Sequence, residues 1–405
     1  MAHFDNFSIL SEKQHGFRRG RSCETQLSGL VNDLAQILDN RSQVDLCIMD
    51  FSKAFDVVPH RRLLTKLDHL GIRSNINKWI ESFLTGRSQR VIIDGEFSTS
   101  SEVISGVPQG TVLGPLLFLA YINDLPDCVS SSIRLFADDL ILYRQIDSIN
   151  DCSRLQEDIS ALCNWESKWQ MEFNQSKCFI MRMTHKKKPI CNKYFMGESL
   201  LEEVNHHPYL GVELSNDLSW SKHITKTVNS ANRVLGLIKR NLWNCSTSTK
   251  EIAYKTLVRP KLEYASAVWD PYYNTHKESI EKVQRRAARF VKNDYGYTSS
   301  VSNMLIDLKW DKLELRRTKA RLVTLYKETH GITPRNVHNL PTDCTLPTTR
   351  LSHMLNNRIP QAQKDCYRFS LYPRTHPLAL WNRLPPELKS APSVLSFKQL
   401  LDNNI

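Results

Sequence analysis

Apolar residues return along this chain with two periods. From residue 24 to 39, Leu27, Leu30, Val31, Leu34, Ile37 and Leu38 recur every three or four positions, which predicts a helix. Val44–Asp50 (VDLCIMD) is a short apolar run closed by a carboxylate and reads as a buried strand. Residues 60–70 and 74–84 read as helices stopped at Gly71 and Gly86. Residues 89–104 alternate around Asp94-Gly95, a hairpin signal. Ser105–Pro115 (SGVPQGTVLGP) is a Gly/Pro-rich loop, and the PLLFLAYINDL that follows is apolar on nearly every side, as a buried helix would be. Residues 150–169 again suit a helix, Cys178–Met183 a strand and Lys186–Lys188 a basic loop. After Trp220 the pattern is mainly helical, and from about Gly331 the last 75 residues read as loop-rich.

One stretch breaks its own pattern. RLFADDLILY, Arg134–Tyr143, sets Asp138 and Asp139 side by side between two apolar runs, best read as a tight hairpin. Aspartate is a poor strand former, and adjacent carboxylates oppose each other's ionisation. The order strand, helix, hairpin, helix, strand between residues 44 and 183 matches the split βαβ, ferredoxin-like motif. In that topology Asp50 and the Asp138-Asp139 pair meet at one end of the sheet. Three carboxylates so close call for cations, and a pair of Mg²⁺ ions would resolve the conflict, because hard cations take oxygen ligands and two of them can clamp a phosphoryl transfer.

Charge adds a second theme. The net charge is +12, but residues 1–220 hold 23 Lys+Arg against 28 Asp+Glu, while residues 221–405 hold 31 against 14. An acidic first half and a strongly basic second half suggest a polyanionic partner for the latter. The ten cysteines form no C-x-x-C pair or zinc-type grouping. The N-terminus lacks the pattern of a signal peptide, and no apolar run approaches a membrane span. The expectation is an intracellular protein of nucleus and cytoplasm, neither secreted nor bound to a membrane.

These segments resemble a known family. LFADDLILY, SGVPQGTVLGPLLFLAYINDLP and DFSKAFDVVPH closely resemble motifs C, B and A of the reverse transcriptases of non-LTR retrotransposons, of the CR1/Jockey-like kind. QHGFRRGRSCETQL resembles the segment entering the palm, WESKWQMEFNQSKCFIM motif D, and YLGVELSNDLSWSKHI the primer grip. The resemblance runs over almost the whole chain in the family's order. It implies an α+β fold: a right-hand polymerase palm with residual fingers over 1–220, a basic helical thumb and following helices over 221–330, and a loop-rich C-terminal region over 331–405.

The resemblance also implies roles. Asp50, Asp138 and Asp139 would be the catalytic carboxylates and ligands of two Mg²⁺ ions, with Asp56 a competing carboxylate in motif A. Phe51 would offer a backbone carbonyl to the nucleotide-bound metal. Phe55 would block a ribose 2′-OH, or simply pack in the core. Gln109 and Gly110 would contact the incoming dNTP and the template, unless Pro108-Gln109-Gly110 is only a helix entrance. Lys177 would protonate the leaving pyrophosphate. Arg18, Arg19 and Arg21 form a Gly-flanked basic turn suited to phosphate contact or to a plain surface run.

In the basic half, Ile280–Lys292 carries an apolar stripe beside Lys282, Arg285, Arg286, Arg289 and Lys292. Such a helix can dock on a core while offering cations to a nucleic-acid backbone. Lys312–Lys327 mixes the same ingredients. Tyr264–Asn274 is aromatic enough to stack bases, although core packing accounts for it as well. The implied partners are an RNA template, a DNA primer or target, and dNTPs. Thirteen residues precede Gln14, so the chain is expected to be N-terminally truncated relative to an intact element protein, without the first fingers motifs and an endonuclease. The function expected is RNA-directed DNA polymerisation; the alternative is an inactive nucleic-acid-binding remnant.

Overall fold

The computed structural model describes residues 2–334, 361–372 and 377–404. The chain divides into two compact units, 1–22 with 42–205 and 23–41 with 206–405.

The first unit is built on a five-stranded sheet. Its strands are β1 (Gln43–Met49), β2 (Ser132–Phe136), β3 (Asp139–Ile146), β4 (Phe179–Met183) and β5 (Glu202–Glu203). They lie in the order β5-β4-β1-β3-β2, with β5 parallel to β4 and every other pair antiparallel. The first four strands therefore have the order 4-1-3-2 expected of a split βαβ unit, and β5 is an addition at one edge. All seven residues of β1 are buried, which explains its nearly unbroken apolar run.

The helices fall close to their expected places. His60–His69 gives way to Leu70 and to Gly71 at φ +86°; Ser74–Leu84 ends before Gly86 at φ +67°. Leu113–Ile122 buries Leu117 through Ile122 in the core. Ile149–Trp169 opens on a Ser148/Asp151 capping box and closes at Gln170 in the left-handed region. The core under the sheet gathers Met49, Phe118, Leu140, Leu155, Leu162 and Ile180.

Two strand features differ from expectation. The tight turn is Ala137-Asp138, with Phe136 paired to Asp139, so Asp139 already belongs to β3. The hairpin over 89–104 is reduced to two short ladders, Arg87–Gln89 with Ser101–Val103 and Ile92–Ile93 with Glu96–Phe97. Asp94 and Gly95 both take positive φ, as a two-residue hairpin turn requires. Its apolar side chains do not reach a core: Ile92, Ile93 and Phe97 are 58%, 67% and 57% exposed.

Among the described residues the second unit is helical apart from a small ladder, His206–Tyr209 with Val212–Ser215. Its long helices are Cys23–Asp39, Ser221–Asn241, Asn274–Lys292 and Leu313–Thr329. The region expected to be loop-rich lies partly outside the described residues. Its described parts include the helices Pro377–Arg383 and Val394–Asn404, and Trp381, Phe397 and Leu401 join Leu322, Leu325 and Tyr326 in one apolar cluster.

Lys312–Lys327 does not offer most of its cations outward as the sequence suggested, although Lys312 is exposed. Arg317 and Arg321 are buried and share Asp270, at 2.7 and 3.0 Å; Arg316 pairs with Glu263, and Lys319 with Asp311 and Asp402. Burial of guanidinium groups demands carboxylate partners, and Asp270 and Glu263 supply them. Inside the aromatic Tyr264–Asn274 segment Trp269 is fully buried, in keeping with core packing, whereas Tyr264 and Tyr273 are exposed.

Candidate active site

The sheet brings the sequence-distant carboxylates together. Met49 pairs with Leu140, so the residues one step further along each strand, Asp50 and Asp139, lie at the same end of the β1–β3 ladder. Asp138 sits beside them in the turn. All three are half-buried. Burial raises the pKa of Asp138, and the neighbouring Asp50 charge raises it further. Burial and the charges of Asp138 and Asp50 push Asp139 up to about 6. Asp56 Oδ1 instead accepts a hydrogen bond from Gln109 Nε2 at 3.0 Å, on the exposed side of motif A.

Lys177 reaches the same place from the loop before β4. Its Nζ lies 2.9 Å from Asp50 Oδ2, and that contact raises its own pKa. The loop is pinned by backbone bonds, Asn174 N to the Asp50 carbonyl at 2.8 Å and Ser52 N to the Glu172 carbonyl at 2.7 Å. Among the described residues no three His, Cys, Asp or Glu side chains form a group arranged to hold a metal ion. The donor chemistry nonetheless suits a hard cation: three carboxylates on a rigid sheet repel one another, and a lysine ammonium already stands against Asp50.

The aromatic pair of motif A splits by depth. Phe51 is buried and stacks on Phe173 at 4.4 Å. Phe55 is half-buried and stacks on Phe118 at 4.5 Å, with the exposed Phe17 ring edge-on at 6.2 Å. The Gly/Pro loop lies along Phe55–Val58: Val107 N bonds to the Phe55 carbonyl at 2.7 Å and Gly106 N to the Val58 carbonyl at 2.8 Å. Gly106, at φ +85°, has the Asp56 backbone where a Cβ would stand, 2.6 Å away, so only glycine fits. Gly110, at φ +77°, faces open space. Lys53, Asp56, Arg87, Gln109 and the Gly106 backbone line a cleft of about 770 Å³ beside this loop.

The Arg18–Arg21 turn is largely spoken for. Arg18 donates to the carbonyls of Leu10 and Ser11, Arg21 to those of Glu12 and Gln14, and both reach the Glu12 carboxylate. Arg19 alone of the three is exposed. In the second unit, Lys282, Arg285, Arg286 and Lys292 are exposed on Asn274–Lys292. Arg286 bonds to Asn232 and Lys292 pairs with Asp307 at 3.1 Å. Arg289 instead turns back to carbonyls of the following loop.

One residue the motif reading passed over holds the turn. Gln14 Oε1 accepts from Ala137 N at 2.9 Å and from Gly16 N at 2.7 Å. The same segment adds a bridge to β2, with His15 N bonded to the Leu135 carbonyl at 2.9 Å. A polar Gln-His pair next to a glycine gave no periodicity to read; the only sequence signal was its place in the resemblance.

The family model for reverse transcriptase (RNA-dependent DNA polymerase) matches residues 1–214, more than half of the chain. The chain belongs to that family. An RNA-directed DNA polymerase from mobile element jockey of Drosophila funebris is 30% identical over 314 residues, covering 74% of this chain and 34% of that protein. A probable RNA-directed DNA polymerase from transposon X-element of Drosophila melanogaster is 28% identical over 295 residues, 70% and 32% of the two chains. The chain thus spans about a third of the length of these relatives. They bear out the expected non-LTR kind of reverse transcriptase. Telomerase from Candida albicans in complex with a TWJ fragment of telomeric RNA overlays 82% of this chain and 56% of that one, at 12% identity and a TM-score of 0.42. A likeness that distant has no bearing on mechanism. Among the described residues no helix is long and apolar enough to cross a membrane.

Proposed function

We propose that this reverse transcriptase domain catalyses RNA-templated DNA synthesis, with residues 1–220 as palm and residual fingers and 221–330 as thumb and following helices. The reaction is attack of a primer 3′-oxygen on the α-phosphorus of a dNTP, releasing pyrophosphate. The observation that carries this reading is the meeting of Asp50 with Asp138 and Asp139 at one sheet end.

Asp50, Asp138 and Asp139 would hold divalent cations, two Mg²⁺ ions in the full reading, with the Phe51 carbonyl as a further oxygen donor. Bound there, the cations would supply charge neutralisation at the transferring phosphoryl group. The chain's own residues do the rest. Lys177 holds a proton at Nζ beside Asp50, where a departing pyrophosphate could take it. Phe55, braced by Phe118, presents a rigid ring that would exclude a ribose 2′-OH. Gln109 and the open backbone at Gly110 would orient the nucleotide and template, and Arg19 is free to meet phosphate. Lys282, Arg285, Arg286 and Lys292 would contact the nucleic-acid backbone without reading sequence. Such catalysis is chiefly positioning and electrostatics.

A second reading is nucleic-acid binding without turnover, for which the exposed cations Lys282, Arg285, Arg286 and Lys292 would suffice. Primer extension on poly(rA)/oligo(dT) with Mg²⁺ separates the two. Extension by the native chain that Asp138→Ala abolishes supports the enzyme. Salt-sensitive hybrid binding without extension supports the second reading.

A further inference from the structure

The loop after Asn274–Lys292 is tightly built yet displays aromatic rings to water. Asn293 ends the helix in the left-handed region. Asp294 Oδ1 then accepts from Gly296 N at 2.9 Å and from Ser299 Oγ at 2.7 Å, while Arg289 donates to the carbonyls of Asp294, Gly296 and Ser299. Within this frame Tyr295 is 57% exposed and Tyr297 fully exposed. An ordered loop that turns two tyrosine rings toward water leaves their faces open to a partner.

The rings stand on cationic ground. Lys239 Nζ lies 5.6 Å from the Tyr295 ring centre, and its ammonium feels the charge of Arg286, which in turn bonds to Asn232. Ser221–Asn241 carries five Lys+Arg and no acidic residue, and from Lys282 to Lys292 there are five more with none. Lys222 and Lys226 pair with Glu213 and Lys292 with Asp307, which leaves Lys239, with Arg286 close to it, as the cation at the Tyr295 ring.

We propose that Tyr295 and Tyr297, with Lys239 and Arg286, form a binding site for single-stranded nucleic acid, the rings stacking on unpaired bases and the cations meeting phosphates. Unpaired strand is the ligand because the base faces of a duplex are hidden in its own stack, whereas every unpaired base offers one to an aromatic ring. The site deepens the backbone contact proposed above for the basic helix and rests on it.

The test is fluorescence anisotropy of labelled rU20, dT20 and a blunt RNA–DNA hybrid with the full chain, which reads binding and no synthesis. Tyr295→Ala/Tyr297→Ala should weaken single-strand binding between about fivefold and a hundredfold per stacked base, leave hybrid binding and the thermal midpoint unchanged, and be rescued by Tyr→Phe at both positions. The rU20 and dT20 arms tell whether RNA or DNA is preferred. Unchanged single-strand affinity, no rescue by phenylalanine, equal loss on strand and hybrid, or binding of phosphatidylserine vesicles in place of the oligonucleotides would each overturn the proposal. Lys282→Ala/Arg285→Ala serves as the separate control. If it alters neither affinity, the backbone-contact reading has failed; if it weakens both while the tyrosine variants do nothing, stacking alone has failed.

Discussion

The side-chain amide of Gln14 grips the peptide of Ala137 at both ends, accepting from its N–H at 2.9 Å and donating to its carbonyl at 3.4 Å. Ala137 stands at φ +54°, a region that side chains with a Cβ avoid, and it opens the turn that carries Asp138. Gln14→Leu would strand the buried N–H groups of Ala137 and Gly16 and should destabilise the chain by about 1–3 kcal/mol in urea unfolding. Gly16→Ala should do comparable harm, since its Cβ would fall 2.4 Å from Ala137 N. Ala137→Gly should be neutral or stabilising by up to about 1 kcal/mol. A Gln14→Leu chain as stable as the native one would remove this residue from any account of the site.

Clustered carboxylates work against the fold. Asp139 is held up at about 6, above its ordinary range, so between roughly pH 4 and 6 the native state binds more protons than the unfolded chain and stability falls as pH rises. Asp139→Asn should therefore stabilise the protein at pH 7, by about 1–2 kcal/mol once solvent screening of this partly exposed group is allowed for, with the gain fading towards pH 4. Thermal melts across that range are the check. Lys177→Ala should push Asp139 higher still, a shift visible by carboxyl-carbon NMR; a downward shift would contradict the arrangement.

Two buried histidines act in the opposite direction. Burial lowers His223 to about 4 and His15 to about 3. His223 Nδ1 accepts from Glu213 N at 3.2 Å, a bond that only the neutral ring can make. As pH falls below about 6.5 the unfolded chain gains protons at these rings and the native state does not, so stability present above that pH is lost towards pH 4. The loss should be roughly 2–3 kcal/mol for His223, and His223→Gln should flatten its share of the slope in urea titrations. An unaltered slope would count against a buried neutral ring.

Asp270 is the counter-charge for two buried guanidinium groups, and Arg317 Nη1 and Nη2 have no hydrogen-bond partner among the described residues. Asp270→Ala should cost about 3–5 kcal/mol in urea unfolding, because it removes the carboxylate bonded to both buried guanidinium groups. Arg317→Met should cost far less or nothing, since it removes a desolvated charge along with its unmet donors. The reverse ranking would show that Arg317, not Asp270, sustains the packing.

The chain's local patterns were enough for the elements. Apolar spacing located the helix Ile149–Trp169, near-continuous apolar runs located the helix Leu113–Ile122 and the buried strand β1, and glycines marked where helices stop, because burial and the freedom of a glycine are properties of a few neighbouring residues. The order of those elements was enough for the sheet, since the crossover pattern brings Asp50 to Asp139 across most of a domain. What each charged side chain does was settled only by what lies across from it. Arg18 and Arg21 turned to Glu12, Arg317 and Arg321 turned inward to Asp270, and Gln14 closed on Ala137, 123 positions away. A cation reads the same in sequence whether it faces water or a buried carboxylate. The difference is made by desolvation and partner geometry, which come into being only when distant segments pack.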